Sequence, residues 1–166
     1  MSPTFHRGFR HAKGYQVSTP YGLISIAHDG REITFRLWDD VRESIHTKAL
    51  FSYFQQLHRR GITRVNVDHM QLPGLDHSLP LRRGKAVVDM VYMHKGQLKE
   101  VELKTHREVG LDITARQIEE LSRHCQNLTI VVPRRDMEDM KTILTIIGVQ
   151  EAVQIDTFEI TDEEAE

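Results

Sequence analysis

The spacing of apolar residues divides the chain into predicted strands and helices. Apolar and polar positions alternate at 21–27 and 32–38, on either side of an Asp-Gly pair, and this arrangement is typical of a β-hairpin. Between 40 and 60, apolar residues recur every three or four positions, which predicts a helix that ends at Gly61. Residues 1–18 hold several basic side chains, and we expect them to form a loose basic arm.

The rest of the chain predicts strands and helices in alternation. Strands are expected at 63–68, 86–93, 97–105, 128–132 and 152–158, and helices at 113–126 and 136–147. A strand, helix, strand order from residue 128 onward implies a parallel pair joined by a right-handed crossover. The sequence therefore predicts an α/β fold with a mixed central sheet flanked by helices and an amino-terminal β-hairpin appendage.

Length and composition set limits on the class of protein. The chain has 166 residues, 39% of them hydrophobic and 28% charged, which predicts one globular domain. Its apolar stretches are far shorter than a membrane-spanning helix needs, and its amino terminus lacks a signal-peptide core. We therefore expect a cytoplasmic protein with no membrane partner. Cys125 is the only cysteine, so no internal disulfide can form.

Charge is distributed unevenly along the chain. The formal net charge is -2, but the residues from Asp156 to Glu166 include six acids and no Lys or Arg. We expect a solvated acidic tail on a mildly basic body, which is compatible with DNA binding without establishing it. The predicted organisation is an appendage at 1–38, a core at 39–158 and an acidic tail at 159–166.

The hairpin at 86–105 places two carboxylates together. If residues 95–96 form a two-residue turn, Asp89 lies directly opposite Glu102. Like charges in that position destabilise a sheet, so a positive group should lie between them. Lys104 follows two residues after Glu102 and therefore shares its face. A plain salt bridge on a solvated sheet face is the alternative interpretation.

A third carboxylate is expected at the start of the first core helix. Glu43, Leu50 and Leu57 are spaced by sevens, which places Glu43 on the extension of the buried stripe. Three carboxylates beside a lysine suit a hard divalent cation such as Mg²⁺ or Mn²⁺. Such an ion polarises a phosphoryl oxygen and activates water, as phosphodiester hydrolysis requires.

Asp89 followed by Glu102-Leu103-Lys104 on the next strand resembles the PD-(D/E)xK nuclease superfamily. The spacing between the acids is similar to that of archaeal Holliday-junction resolvases. The resemblance covers roughly residues 40–158, and Val88 stands where the superfamily's name has proline. It implies a restriction-endonuclease-like core in which helix, three strands, helix and strand follow in that order.

The same resemblance implies roles for individual residues. Glu43, Asp89 and Glu102, with Leu103 in the signature, would hold Mg²⁺ or Mn²⁺, and Lys104 would orient water or stabilise developing charge. Five further residues are expected to contact substrate: Gln117, His46, Arg83, Lys85 and Arg107. Each has an ordinary alternative. Gln117 in particular completes a capping box with Thr114 as the helix N-cap, and the two interpretations are equally supported.

We therefore expect a metal-dependent DNA endonuclease, a phosphodiester hydrolase acting on branched or structured DNA. A non-catalytic DNA- or protein-binding module on the same fold is the main alternative. A carboxylate-pair hydrolase acting on sugars is disfavoured, because Lys104 should keep both acids ionised.

Cutting both strands would require two sites, so we expect a homodimer in which the amino-terminal hairpin's exposed edges meet a partner. The alternative is that this hairpin packs on its own domain and buries Trp38.

Overall fold

A five-stranded mixed sheet forms the centre of the molecule. The computed structural model describes residues 7–11, 14–18, 22–27, 33–37, 45–68, 70, 72 and 74–159. The helices are α1 (Ile45–Arg59), α2 (Asp112–His124) and α3 (Met137–Ile146). The strands are β1 (Arg7–His11), β2 (Gly14–Ser18), β3 (Gly22–Ala27), β4 (Ile33–Leu37), β5 (Val65–Val67), β6 (Arg82–Arg83), β7 (Ala86–Val87), β8 (Met90–His94), β9 (Gln97–Leu103), β10 (Leu128–Pro133) and β11 (Val153–Phe158).

The central sheet has the order β11-β10-β9-β8-β5. Strands β9, β10 and β11 run parallel, whereas β8 pairs antiparallel with both β9 and β5. The three parallel strands therefore end at one edge of the sheet, and the segment that follows Leu103 lies at that edge. This result confirms the predicted mixed sheet, its hairpin and its parallel carboxyl-terminal pair.

Helices cover both faces of the sheet because each strand presents apolar residues in two directions. On one face, the buried stripe of α1, including Leu50, Tyr53 and Leu57, packs against Val101 and Leu103 of β9. On the other face, α2 and α3 pack against a second apolar cluster that includes Ile130 of β10. Glu102 lies between Val101 and Leu103, so strand alternation turns it toward the α2 face.

The amino-terminal region differs from the expected arm and hairpin. Residues 7–11 and 14–18 form β1 and β2, which extend β3 and β4 into a four-stranded antiparallel sheet. The loose arm was therefore the wrong prediction for these residues. In five-residue strands with basic side chains, the alternation of apolar and polar residues is too short to identify from sequence. Pairing of β2 with β3 satisfies the backbone hydrogen bonds of β2.

The amino-terminal sheet packs on its own domain through β3 and β4. Ile24 is buried in the same cluster as α1, and Ile26 packs against that cluster. This contact agrees with the alternative prediction, in which the amino-terminal strands pack on their own domain. Strands β1 and β4 are the two edges of the amino-terminal sheet. Trp38, which we expected to be involved, lies outside the described residues, as does the start of the predicted helix at 40–44.

Asp156 is part of the fold rather than of a solvated tail. It lies in β11, where its Oδ2 accepts hydrogen bonds from Arg60 Nη1 at 2.7 Å and from the Tyr53 hydroxyl at 3.0 Å. The Arg60 and Tyr53 hydrogen bonds outweigh burial and lower the pKa of the Asp156 carboxyl. Asp156 therefore belongs to the strand predicted at 152–158, and residues 160–166 of the expected acidic tail lie outside the described residues.

Across the parts of the chain that the structure describes, no helix is long and apolar enough to cross a membrane.

Candidate active site

The β8–β9 hairpin has the register expected from its turn. His94 pairs with Gln97 and Met90 with Val101, so two residues separate the strands. Lys95 and Gly96 both have positive φ, 49° and 74°, as a two-residue turn of this twist requires. The register places Asp89 next to the strand that carries Glu102.

Asp89 lies at a bend immediately before β8, where the ladder of hydrogen bonds between β8 and β9 ends. Its Oδ2 accepts a hydrogen bond from the main-chain N–H of Leu103 at 2.8 Å. Our predicted direct ladder pairing of Asp89 with Glu102 is therefore wrong, because the ladder stops at Met90 and Val101. The bend divides the predicted strand 86–93 into β7 and β8, and a side chain replaces the main chain as the acceptor for Leu103.

Glu102 is a buried carboxylate with only one oxygen in a hydrogen bond. The residue is 8% exposed, and its Oε1 accepts from Lys104 Nζ at 2.8 Å. Its Oε2 is buried and has no hydrogen-bond partner within the described chain. Burial is the largest cause that raises the pKa of Glu102 to about 7, and the negative charge of Asp89 adds to it. Lys104 opposes this rise without cancelling it.

Lys104 is held between the hairpin and α2. It is 4% exposed, and its Nζ donates to Glu102 Oε1 and to Gln117 Oε1, both at 2.8 Å. Its main-chain N–H donates to the Val131 carbonyl of β10, which fixes the backbone position from which the lysine side chain extends. A buried lysine with two fixed acceptors has a defined direction toward Glu102.

The position of Gln117 excludes one of its two interpretations, the capping box. Helix α2 has Leu111 as N-cap with no side-chain cap, and Thr114 instead donates its hydroxyl to the Glu108 carbonyl at 2.7 Å. The capping box is therefore incorrect, since Gln117 uses its side-chain oxygen to accept from Lys104. Gln117 belongs to the same cluster as Glu102.

His46 approaches this cluster from α1. Its Nε2 lies 3.4 Å from Asp89 Oδ2, and the ring also hydrogen-bonds to the main chain of Leu103. The hydrogen bond with Asp89 is the largest cause that raises the pKa of His46. We expected one positive group between the two acids. The structure has two basic side chains instead, with Lys104 beside Glu102 and His46 beside Asp89.

Glu108 is a neighbour of the site that the sequence reading missed. Its Oε2 accepts from both the main-chain N–H and the hydroxyl of Thr105 at 2.8 Å, which fixes the turn directly after Lys104. Its negative charge also contributes to the raised pKa of His46. The available signal was Thr105 followed three residues later by Glu, the spacing of a capping motif.

The three basic residues expected to contact phosphate lie in different surroundings, one in an ion pair and two exposed in turns. Arg83 Nε is bonded at 2.9 Å to Glu100 Oε1 in an almost buried ion pair, and Glu100 Oε2 also accepts the N–H of Asn127 at 2.7 Å. Arg83 is therefore held in an ion pair with Glu100 of β9, two residues before Glu102. Lys85 and Arg107 are both exposed, in the turns between β6 and β7 and after Thr105.

The donor set for a metal ion is incomplete in the described residues. No group of three or more His, Cys, Asp or Glu side chains positioned to hold a metal is present among them. Glu43, the third expected carboxylate, lies outside the described residues. Asp89 and Glu102 nevertheless fit a hard cation, because the buried Glu102 Oε2 has no partner within the described part of the chain and the charge of Asp89 acts on it.

A cleft opens beside Glu102 on the α2 face. Its volume is about 380 Å³, within the range of small-molecule pockets. It is lined by residues of β7, β9 and α2: Ala86, Val87, Glu102, Ile113, Arg116, Gln117, Glu120 and Leu121. A ligand in this cleft would therefore contact the side chains that hold Lys104.

Comparison of the chain with models of protein families, with curated proteins and with solved structures found no match.

Proposed function

We propose that this chain is a metal-dependent DNA endonuclease that hydrolyses phosphodiester bonds on a restriction-endonuclease-like core. The observation that carries the proposal is the half-satisfied carboxylate of Glu102, which has Lys104 on one oxygen and, among the described residues, no partner on the other. A purely structural ion pair would not be expected to leave a buried carboxylate oxygen without a partner. Counting only strands of the central sheet, the element order is helix (α1), three strands (β5, β8 and β9), helix (α2) and strand (β10), and this order supports the same proposal.

In this proposal each residue has a separate task. Asp89 and Glu102 would hold Mg²⁺ or Mn²⁺, with Glu43 and Leu103 as further ligands. A cation there supplies Lewis acidity toward a phosphoryl oxygen and offsets negative charge at phosphorus. Lys104, fixed by Gln117, stabilises the negative charge that develops during attack. His46 holds Asp89 from the α1 side and orients its carboxylate.

The proposed substrate is branched or structured DNA, and the proposed assembly is a homodimer. One cluster can hydrolyse one strand, so cleavage of two strands needs two copies of the site. Since β3 and β4 already contact the core at α1, the surface that could join two copies is the outer edge at β1. A monomer in light scattering would exclude the dimer and leave nicking as the expected activity.

The test is cleavage by the full chain of labelled linear duplex, flap and four-way-junction DNA, with Mn²⁺ or with a chelator. We expect metal-dependent cleavage that Glu102→Gln abolishes and that Glu138→Gln, a control on the exposed face of α3, retains. Failure to cleave any of these substrates would contradict the proposal. Retained DNA binding would then identify the chain as a non-catalytic binding module.

One observation supports a second candidate. A buried carboxyl with its pKa near 7, next to another acid, also meets the requirement for a general acid in a carboxylate-pair hydrolase of sugars. That activity would need no divalent cation. Hydrolysis of aryl glycosides in the presence of a chelator, lost in Glu102→Gln, would support it in place of the nuclease.

A further inference from the structure

The cleft beside Glu102 has apolar walls that phosphodiester chemistry does not explain. Val87 of β7 is 40% exposed and Ile113 of α2 is 62% exposed, and both line the cleft. A site that contacted only the sugar-phosphate backbone would be expected to present polar and cationic side chains there. Two exposed aliphatic side chains at one cleft offer an apolar contact to a ligand that binds there.

We propose that this cleft takes an unpaired nucleobase of the DNA strand that is cleaved. The proposal rests on the proposed nuclease function and narrows its substrate to DNA with a single-stranded nucleotide next to the scissile phosphate. Val87 and Ile113 would pack on the faces of the base, as aliphatic side chains do when they enter a base stack. Base-paired DNA keeps its bases stacked, so a duplex would have to unpair before a base could enter.

The cleft carries polar groups beside its apolar walls and shares Glu102 with the proposed cleavage site. Arg116 is exposed and lines the cleft, where it can contact a phosphate that neighbours the base. Gln117 lines the same cleft and provides an amide for the edge of the base, while Glu120, also in the lining, pairs with Arg123 and His124. Glu102 connects this cleft to the proposed metal ligands, so base binding and strand cleavage would occur on one nucleotide segment.

The test is DNA binding by the full chain in a Glu102→Gln background with a chelator present. This background stops cleavage and removes a carboxylate that would repel phosphate. Fluorescence anisotropy compares a labelled single-stranded oligonucleotide with the duplex of the same sequence. We expect Ile113→Ala and Val87→Ala each to weaken single-strand binding by roughly five-fold, from the apolar area they lose, with little change for the duplex.

Ile146→Ala is the matched control, because Ile146 is an exposed isoleucine on α3, 77% exposed and outside the cleft. Equal binding by the Ile113→Ala and Ile146→Ala variants would overturn the cleft proposal, as would no binding of the single strand at all. Neither result depends on cleavage, so the nuclease proposal is judged separately from the metal-dependent cleavage assay.

Discussion

Lys104 Nζ lies 2.8 Å from one carboxylate oxygen of Glu102, while the other oxygen of Glu102 is buried without a partner in the described chain. Two charged side chains in a low-dielectric interior are costly unless their remaining hydrogen-bonding atoms are satisfied. This pair satisfies only part of that requirement. A bound cation would supply the missing interaction, and the predictions below follow from this relationship.

Glu102→Gln should remove a pH dependence of stability in the metal-free protein. Burial raises the pKa of Glu102 to about 7 from 4.5, so the folded state holds more protons than the unfolded state between those values. The stability that this group contributes is full below about 4.5 and is lost as the pH rises through about 7. The glutamine variant resembles the protonated form and should lack this loss. Urea denaturation in a chelator, from acidic to neutral pH, measures it.

Glu138→Gln provides the control, because Glu138 is exposed on α3 and pairs only with Lys141 in the described chain. Its stability should follow the wild-type curve. Parallel curves for Glu102→Gln and the wild type would contradict a carboxyl whose pKa is raised by folding.

Lys104→Met should abolish turnover while it preserves metal binding. The lysine is not a ligand, and removal of its positive charge should leave the affinity for Mn²⁺ unchanged or higher. Cleavage should fall by at least about 100-fold, the scale for losing a group that stabilises developing charge. Calorimetry with Mn²⁺ and a cleavage assay separate the two effects.

The same substitution should destabilise the metal-free protein by about 3 kcal/mol at pH 8, because it leaves a buried carboxylate without its partner. Lys141→Met, at an exposed ion pair, should change neither property. Loss of metal binding in Lys104→Met would show that the lysine organises the ligands instead of acting on substrate.

Asp89→Asn should lower the pKa of His46 toward its ordinary value of 6.5. The hydrogen bond to Asp89 is the main reason that the pKa is raised, so the stability that it gives is full below 6.5 and is lost above the raised pKa. Proton NMR titration of the metal-free protein measures the midpoint, and His46→Gln identifies the resonance. An unchanged midpoint in Asp89→Asn would show that Asp89 does not hold the imidazole.

Gln117→Ala should slow cleavage about ten-fold, because Lys104 loses one of the two acceptors that direct it and a hydrogen bond to a charged group has about this effect. Metal affinity should not change. Gln97→Ala, in the exposed strand residue next to the β8–β9 turn, is the control. An undiminished rate in Gln117→Ala would mean that Glu102 alone positions the ammonium group.

Much of the central fold was predictable because its signals are local. The two-residue turn at Lys95 and Gly96 sets the register of β8 and β9, and that register brings Asp89 near the strand of Glu102. The Leu50 and Leu57 spacing likewise identified the buried face of α1. These features depend on residues close together in sequence, so a pattern along the chain is sufficient to find them.

The side-chain partners were less predictable because they depend on distant residues. Arg83 has the positive charge expected of a phosphate contact, and only the fold shows that it forms an ion pair with Glu100. Thr114 and Gln117 have the residue types and spacing of a capping box, yet the helix starts before them and the Gln117 side chain accepts a hydrogen bond from Lys104. The bend at Asp89 is a further case, because strand alternation gave no reason to expect its bond to Leu103.

The account depends most on a divalent cation at Asp89 and Glu102, and calorimetric titration of the full chain with Mn²⁺ tests this most directly. We predict that the wild type binds Mn²⁺ and that Glu102→Gln loses at least about ten-fold in affinity, while Glu138→Gln binds as the wild type does. Wild-type protein that does not bind Mn²⁺, or Glu102→Gln that binds it equally well, would contradict the account.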